Sequence, residues 1–160
     1  MNSDDLQEMI SNDLREIGAR IDELYGNIDA EFHALIQDIP IKKKVEDTQT
    51  TVKSLVDAKP EHRSAAAMQA IASLGALNSQ VDYLTARLNL PDVAKKVGEK
   101  ATHHWNDLKT YLQKLIHSIA GHLWQLISTL LTPTGWSVSG DTGFNLFGLS
   151  GTAGIQIDFG

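Results

Sequence analysis

In residues 6–39 apolar side chains recur at steps of three or four: Leu6, Ile10, Leu14, Ile17, Ile21, Leu24, Ile28, Phe32, Leu35 and Ile39. That spacing follows the 3.6-residue turn of an α-helix and not the two-residue alternation of a strand. From Leu14 to Ile28 the steps are strictly heptad, the pattern of a seam that packs knobs into holes on a neighbouring helix. The spacing predicts a helix over 4–39. Ser3 or Asp4 caps its start, and Pro40, which lacks a backbone donor, stops it. Gly18 and Gly26 lie inside it and mark either a close approach of a neighbour or a bend.

Three more segments repeat the pattern. Residues 43–58 place Val45, Thr48, Val52, Leu55 and Val56 on one side, and Lys59-Pro60-Glu61 breaks the run. Residues 61–89 carry Ala67, Ile71, Leu74, Leu77, Val81, Leu84 and Leu88, with enough alanine to let a neighbouring helix come close. Residues 92–131 carry Val93, Val97, Ala101, Trp105, Leu108, Leu112, Leu115, Ile119, Leu123, Leu126 and Leu130. The fold expected is all-α dominated: an elongated bundle of four helices with coiled-coil-like seams over 1–132.

The last residues change character. Seven of the 12 glycines lie in 133–160. Trp136-Ser137-Val138-Ser139 alternates before the turn at Gly140-Asp141-Thr142-Gly143, and Ile155, Ile157 and Phe159 alternate with Gly154, Gln156 and Asp158. This predicts a short C-terminal antiparallel β element, a glycine-rich hairpin tail. So small a sheet is marginal alone in water, so it packs on the helices or pairs with the same tail of another copy.

Charge is unevenly spread around the net of -6. Residues 1–40 hold ten acids against Arg15 and Arg20, whereas 41–114 hold twelve basic residues against eight acids. An acidic first helix beside a mildly basic middle suits helix packing within or between chains. Nucleic acid is not expected as a partner, because no basic stripe with interleaved aromatics exists. Lys42-Lys43-Lys44 reads as a solvated loop or helix start, with contact to a phosphate or an anionic lipid as the alternative. The acidic N-terminus lacks the pattern of a secretory signal, so a cytoplasmic location is expected, with membrane association as an addition.

From Leu115 to Gly140 no residue is formally charged. Within it Leu115, Ile116, Ile119, Leu123, Trp124, Leu126, Ile127, Leu130 and Leu131 cover most of a helix, while Ser118, His122, Gln125, Ser128 and Thr129 form one narrow polar stripe. Such a helix is either the most buried member of a bundle, a contact between copies, or a surface that meets lipid. Long amphipathic helices with an apolar helical stretch and a β element resemble α-helical pore-forming proteins in architecture alone.

Chemistry is sparse. The absence of cysteine removes thiol nucleophiles and thiolate zinc sites, and no GxSxG motif or phosphate loop occurs. His103 and Asp107 share a helix face, but His117 and His122, five residues apart, point in different directions and cannot hold one ion. No catalytic residue, cofactor, metal or small-molecule substrate is indicated. The reading is a non-enzymatic protein that assembles with itself. The expected oligomer interface comprises Leu14, Ile17, Ile21, Leu24 and Ile28; Trp105, Leu108, Leu112, Leu115 and Ile119; and Ile155, Ile157 and Phe159. The alternatives are a membrane-docking or pore-forming effector acting through 115–131, and a monomeric adaptor with an acidic docking helix.

Overall fold

A computed structural model of the chain describes residues 2–131. Over that span it is all-helical, with five α-helices: α1 (Ser3–Gly26), α2 (Ile41–Asp57), α3 (Arg63–Leu88), α4 (Pro91–Val97) and α5 (Glu99–Leu131). Short 3-10 turns over Ala30–Leu35 and Pro60–His62 join them. No strand occurs among the described residues. The β-hairpin expected over 133–160, with Ile155, Ile157 and Phe159, lies outside them.

α1, α2, α3 and α5 form an up-down-up-down bundle. α1 packs mainly on α5 and α2 on α3, and the α1–α2 and α3–α5 contacts close the ring. Named contacts fix the directions. Asp13 meets Ser118 and Glu16 meets Tyr111, so α1 and α5 run antiparallel. Arg63 reaches the Leu130 carbonyl and Trp105 Nε1 donates to Thr85 Oγ1, which sets α3 against α5 in the same way. Lys42 pairs with Asp22 where α1 and α2 approach. The core is one cluster from end to end, with Leu14, Ile17, Leu24, Leu55, Leu74, Leu77, Leu112, Ile116, Ile119 and Leu123 fully buried. Each such side chain contributes about 1.5–3 kcal/mol relative to exposure. Thr48, a polar residue in this core, satisfies its hydroxyl by donating to the Lys44 carbonyl at 2.8 Å.

Two of the expected helices are shorter than their apolar spacing. The first ends at Gly26 and does not run on to residue 39. Gly26 and Asn27 are poor helix formers, and the Asn27 side chain donates to the Glu23 carbonyl, which competes with continuation. His33 then sits within 2.9 Å of the Tyr25 carbonyl and 2.8 Å of the Ile28 carbonyl, oxygens that a continued helix would have satisfied. Ile28, Ile36 and Ile39 are still buried because the chain folds across the bundle end. The start differs too: Asn2, rather than Ser3 or Asp4, caps α1 by accepting from Asp5 N–H at 2.8 Å.

The last expected helix is split into α4 and α5 by Gly98, whose φ of 91° and ψ of 160° lie in a region open essentially to glycine alone. The sharp corner lets α4 cover the end of the bundle. α5 then runs for 33 residues, about 50 Å at 1.5 Å per residue.

Candidate functional site

The described seam residues proposed for an oligomer interface lie mostly inside one chain. Leu14, Ile17, Ile21, Leu24 and Ile28 on and just after α1 are buried, as are Trp105, Leu108, Leu112 and Ile119 on α5; Leu115 is half-buried. They face neighbouring helices of the same bundle, so a contact between copies through them requires the bundle to open.

The uncharged segment 115–131 has the same fate. Ile116, Ile119, Leu123, Trp124, Leu126, Ile127 and Leu131 are buried, while Leu115 and Leu130 are half-buried. Its polar stripe is the helix's wet edge: Gln125 and Thr129 are exposed, and Ser118, His122 and Ser128 are half-buried. No helix among the described residues is long and apolar enough to cross a membrane.

Where that edge turns toward α1, polar groups cluster. The Ser118 hydroxyl donates to Asp13 at 3.3 Å, and His122 is near enough to act on the same carboxylate. Burial pushes the Asp13 carboxyl above its ordinary range, outweighing the pull of Ser118 and His122. One turn along, Tyr111 donates to Glu16, and the Arg20 guanidinium, itself paired with Glu16 at 2.9 Å, lies 5.4 Å from the Tyr111 ring centroid. Burial also lowers the pKa of His117, keeping the imidazole neutral. His103 and Asp107 share an exposed face, and among the described residues no three His, Asp or Glu side chains gather to hold a metal ion.

The surface feature that stands out is on α3. Residues 64–81 contain no charge. Ala66, Ala67, Ala70, Ile71, Leu74, Leu77 and Val81 fill the inner side with small and aliphatic groups. The outer side is not charged to compensate. Ala65, Gln69, Ala72, Ala76, Ser79 and Tyr83 follow one another along it at steps of three and four, with Met68 beside Gln69. Met68 is 46% exposed and Tyr83 60%, and Leu90, just past the helix end on the same line, is 51% exposed. Beside Tyr83 and Leu90 an open recess is lined by Pro40, Ala86 and Arg87. Arg87 there is bidentate to Asp38, at 2.8 and 2.9 Å, and also donates to the Leu35 carbonyl. That pairing holds the Asp38 carboxyl below its ordinary range.

A helix face without charge is one that a neighbour can cover without stripping water from an ion. Sequence reasoning assigned the alanines to close packing within the bundle and did not weigh the outer side. The available signal was the charge-free run itself. No family model, curated protein or solved structure matches the chain.

Proposed function

We propose that this chain is a non-enzymatic protein that works by associating with copies of itself. Each copy keeps its helical seams for its own core, and copies meet on the outer face of α3, with Ile155, Ile157 and Phe159 of the C-terminal segment as a second contact. The observation that carries this reading is the uncharged outer face of α3, with Met68 46% and Tyr83 60% exposed toward its two ends. Exposed apolar side chains aligned in a patch, rather than scattered singly, are what protein contact surfaces present. The burial of the α1 seam, and of the α5 seam apart from half-buried Leu115, supports the same choice of surface, since those residues already have partners.

Light scattering on the full chain across a dilution series tests the reading. The expected mass exceeds the 17.5 kDa of one chain at high concentration and falls on dilution. Ala72→Glu, which sets an unpaired charge in the middle of the face, is expected to abolish the excess while leaving helicity intact. A mass of 17.5 kDa throughout refutes self-association and leaves the adaptor reading. Association seen only with liposomes refutes it in favour of the lipid-contacting one.

A further inference from the structure

We propose that Asp13, Ser118 and His122 form a proton-operated latch between α1 and α5, closed while the carboxyl and the imidazole share one proton and loosened when that proton leaves. The latch acts within a single chain and operates whether or not copies associate.

The three residues sit where α1 meets the uncharged stretch of α5. Asp13 is half-buried there, unlike Asn12 and Arg15, which are exposed. Among the described residues, the one hydrogen bond its carboxyl accepts comes from the Ser118 hydroxyl at 3.3 Å, long for a hydroxyl and a carboxylate. His122 lies one helical turn beyond Ser118 on the same face and acts on the same carboxyl. Its Nδ1 is shut off from solvent and has no hydrogen-bond partner among the described residues. A shared proton supplies what both groups lack: a donor for the carboxyl and a partner for the ring nitrogen.

No basic side chain does so instead. α5 carries no charged residue from 115 to 131, and α3, packed on another side of it, none from 64 to 81. Lys114, a turn before Ser118, is exposed and is not among the groups acting on Asp13, while His117 is buried on a different side of the helix. Glu16, a turn along α1, does act on Asp13, and as a like charge it works against the carboxylate. Its own partners are Arg20 and Tyr111.

With one proton in the cluster, either a carboxylic acid beside a neutral imidazole or a carboxylate beside an imidazolium is satisfied, so the titration belongs to the pair. With none, a half-buried carboxylate is left with one long bond and an acidic neighbour. Burial already holds the Asp13 carboxyl above its ordinary range, so the folded chain binds the proton more tightly than the opened one. The contribution of the latch is therefore in place near pH 3.8 and is lost as pH rises through the folded value. What loosens is the first half of α1, and what it uncovers is the adjoining part of the uncharged α5 stretch.

Native-state amide exchange of the full chain in dilute solution, corrected for the intrinsic pH dependence of exchange, tests this over residues 4–14 between pH 4.5 and 7.5, with circular dichroism confirming that each variant folds. Wild-type protection there is expected to fall about tenfold, the effect of a tenfold difference in proton affinity between latched and open forms. Asp13→Asn keeps the shape and an oxygen for Ser118 but no charge, and is expected to hold the low-pH protection throughout. His122→Gln cannot take the proton, and its fall is expected to begin at lower pH. Wild-type protection that does not fall overturns the latch, as does a loss in both variants that is equal at every pH. A His122→Gln profile that superposes on wild type overturns the shared proton. The wild type also reports without substitution: side-chain carbon resonances of Asp13 and His122 are expected to inflect at common midpoints, and independent single titrations overturn the pairing.

Discussion

Replacing Leu14 with alanine separates an internal core from an interface more sharply than any charged substitution. Leu14 is a heptad residue of α1, and its relative exposure is 0%. Truncating such a leucine loses the transfer free energy of the removed carbons and leaves a cavity that the surrounding side chains fill only in part. The cost is about 2–5 kcal/mol. Against a total stability of roughly 5–15 kcal/mol that is a large fraction. For a helical body of this size each kcal/mol corresponds to roughly 3 °C, so the melting temperature should fall by roughly 6–15 °C. The assay is thermal and urea unfolding followed by circular dichroism at two well-separated protein concentrations. Because Leu14 packs within its own chain, the loss should be the same at both. If the destabilisation disappears as concentration rises, or stays below about 1 kcal/mol in dilute protein, Leu14 faces another copy and the closed-bundle account is wrong.

Other outcomes follow from individual residues. Gly98→Ala should cost about 1–3 kcal/mol because its backbone conformation is closed to alanine, and an unchanged urea midpoint would contradict the corner between α4 and α5. Gly18→Ala should do the opposite, since nothing lies within 4 Å of the added methyl in mid-helix, with a gain of about 0.5–1 kcal/mol in the same titration. His117 has its pKa lowered by burial from 6.5, so the unfolded chain takes up a proton first as pH falls. Its contribution is therefore present above 6.5 and lost as pH drops below it, and His117→Gln should flatten the decline in stability between neutral pH and the lowered pKa. Asp13, raised from 3.8, acts in the opposite sense: stability is lost as pH rises through its folded value, and Asp13→Asn should remove that loss. Arg87→Ala should quicken amide exchange over residues 30–39, which it ties to α3 through Asp38 and the Leu35 carbonyl, and unchanged exchange there would contradict that tie.

Periodicity made the buried faces legible and left their partners undetermined. Leu14 to Ile28 had to be covered by helix, and they are, but a heptad carries the same spacing whether its neighbour belongs to the same chain or another. The breaks at Gly26 and Gly98 were hidden because apolar spacing runs across both. Ile28 and Ile39 stay buried after the chain leaves the helix, and Val97 and Ala101 keep a four-residue step across a corner. The outer face of α3 was obscured by alanine, which suits both sides of a helix. Ala66 and Ala67 point inward while Ala65 and Ala72 are exposed, and composition alone does not distinguish them. Charge does: its absence over 64–81 is readable from the sequence, and becomes informative once the bundle shows which side of α3 has no neighbour.

The most direct test of the account is covalent footprinting of the full chain at low and high concentration, read residue by residue. Met68 and Tyr83 are open to oxidation and ring modification in a single copy, and Tyr111, 40% exposed on α5, serves as the internal reference. The account predicts that modification of Met68 and Tyr83 falls as the mass rises, while Tyr111 keeps its rate. Modification of Met68 and Tyr83 that stays constant while copies associate would show that they meet somewhere other than α3.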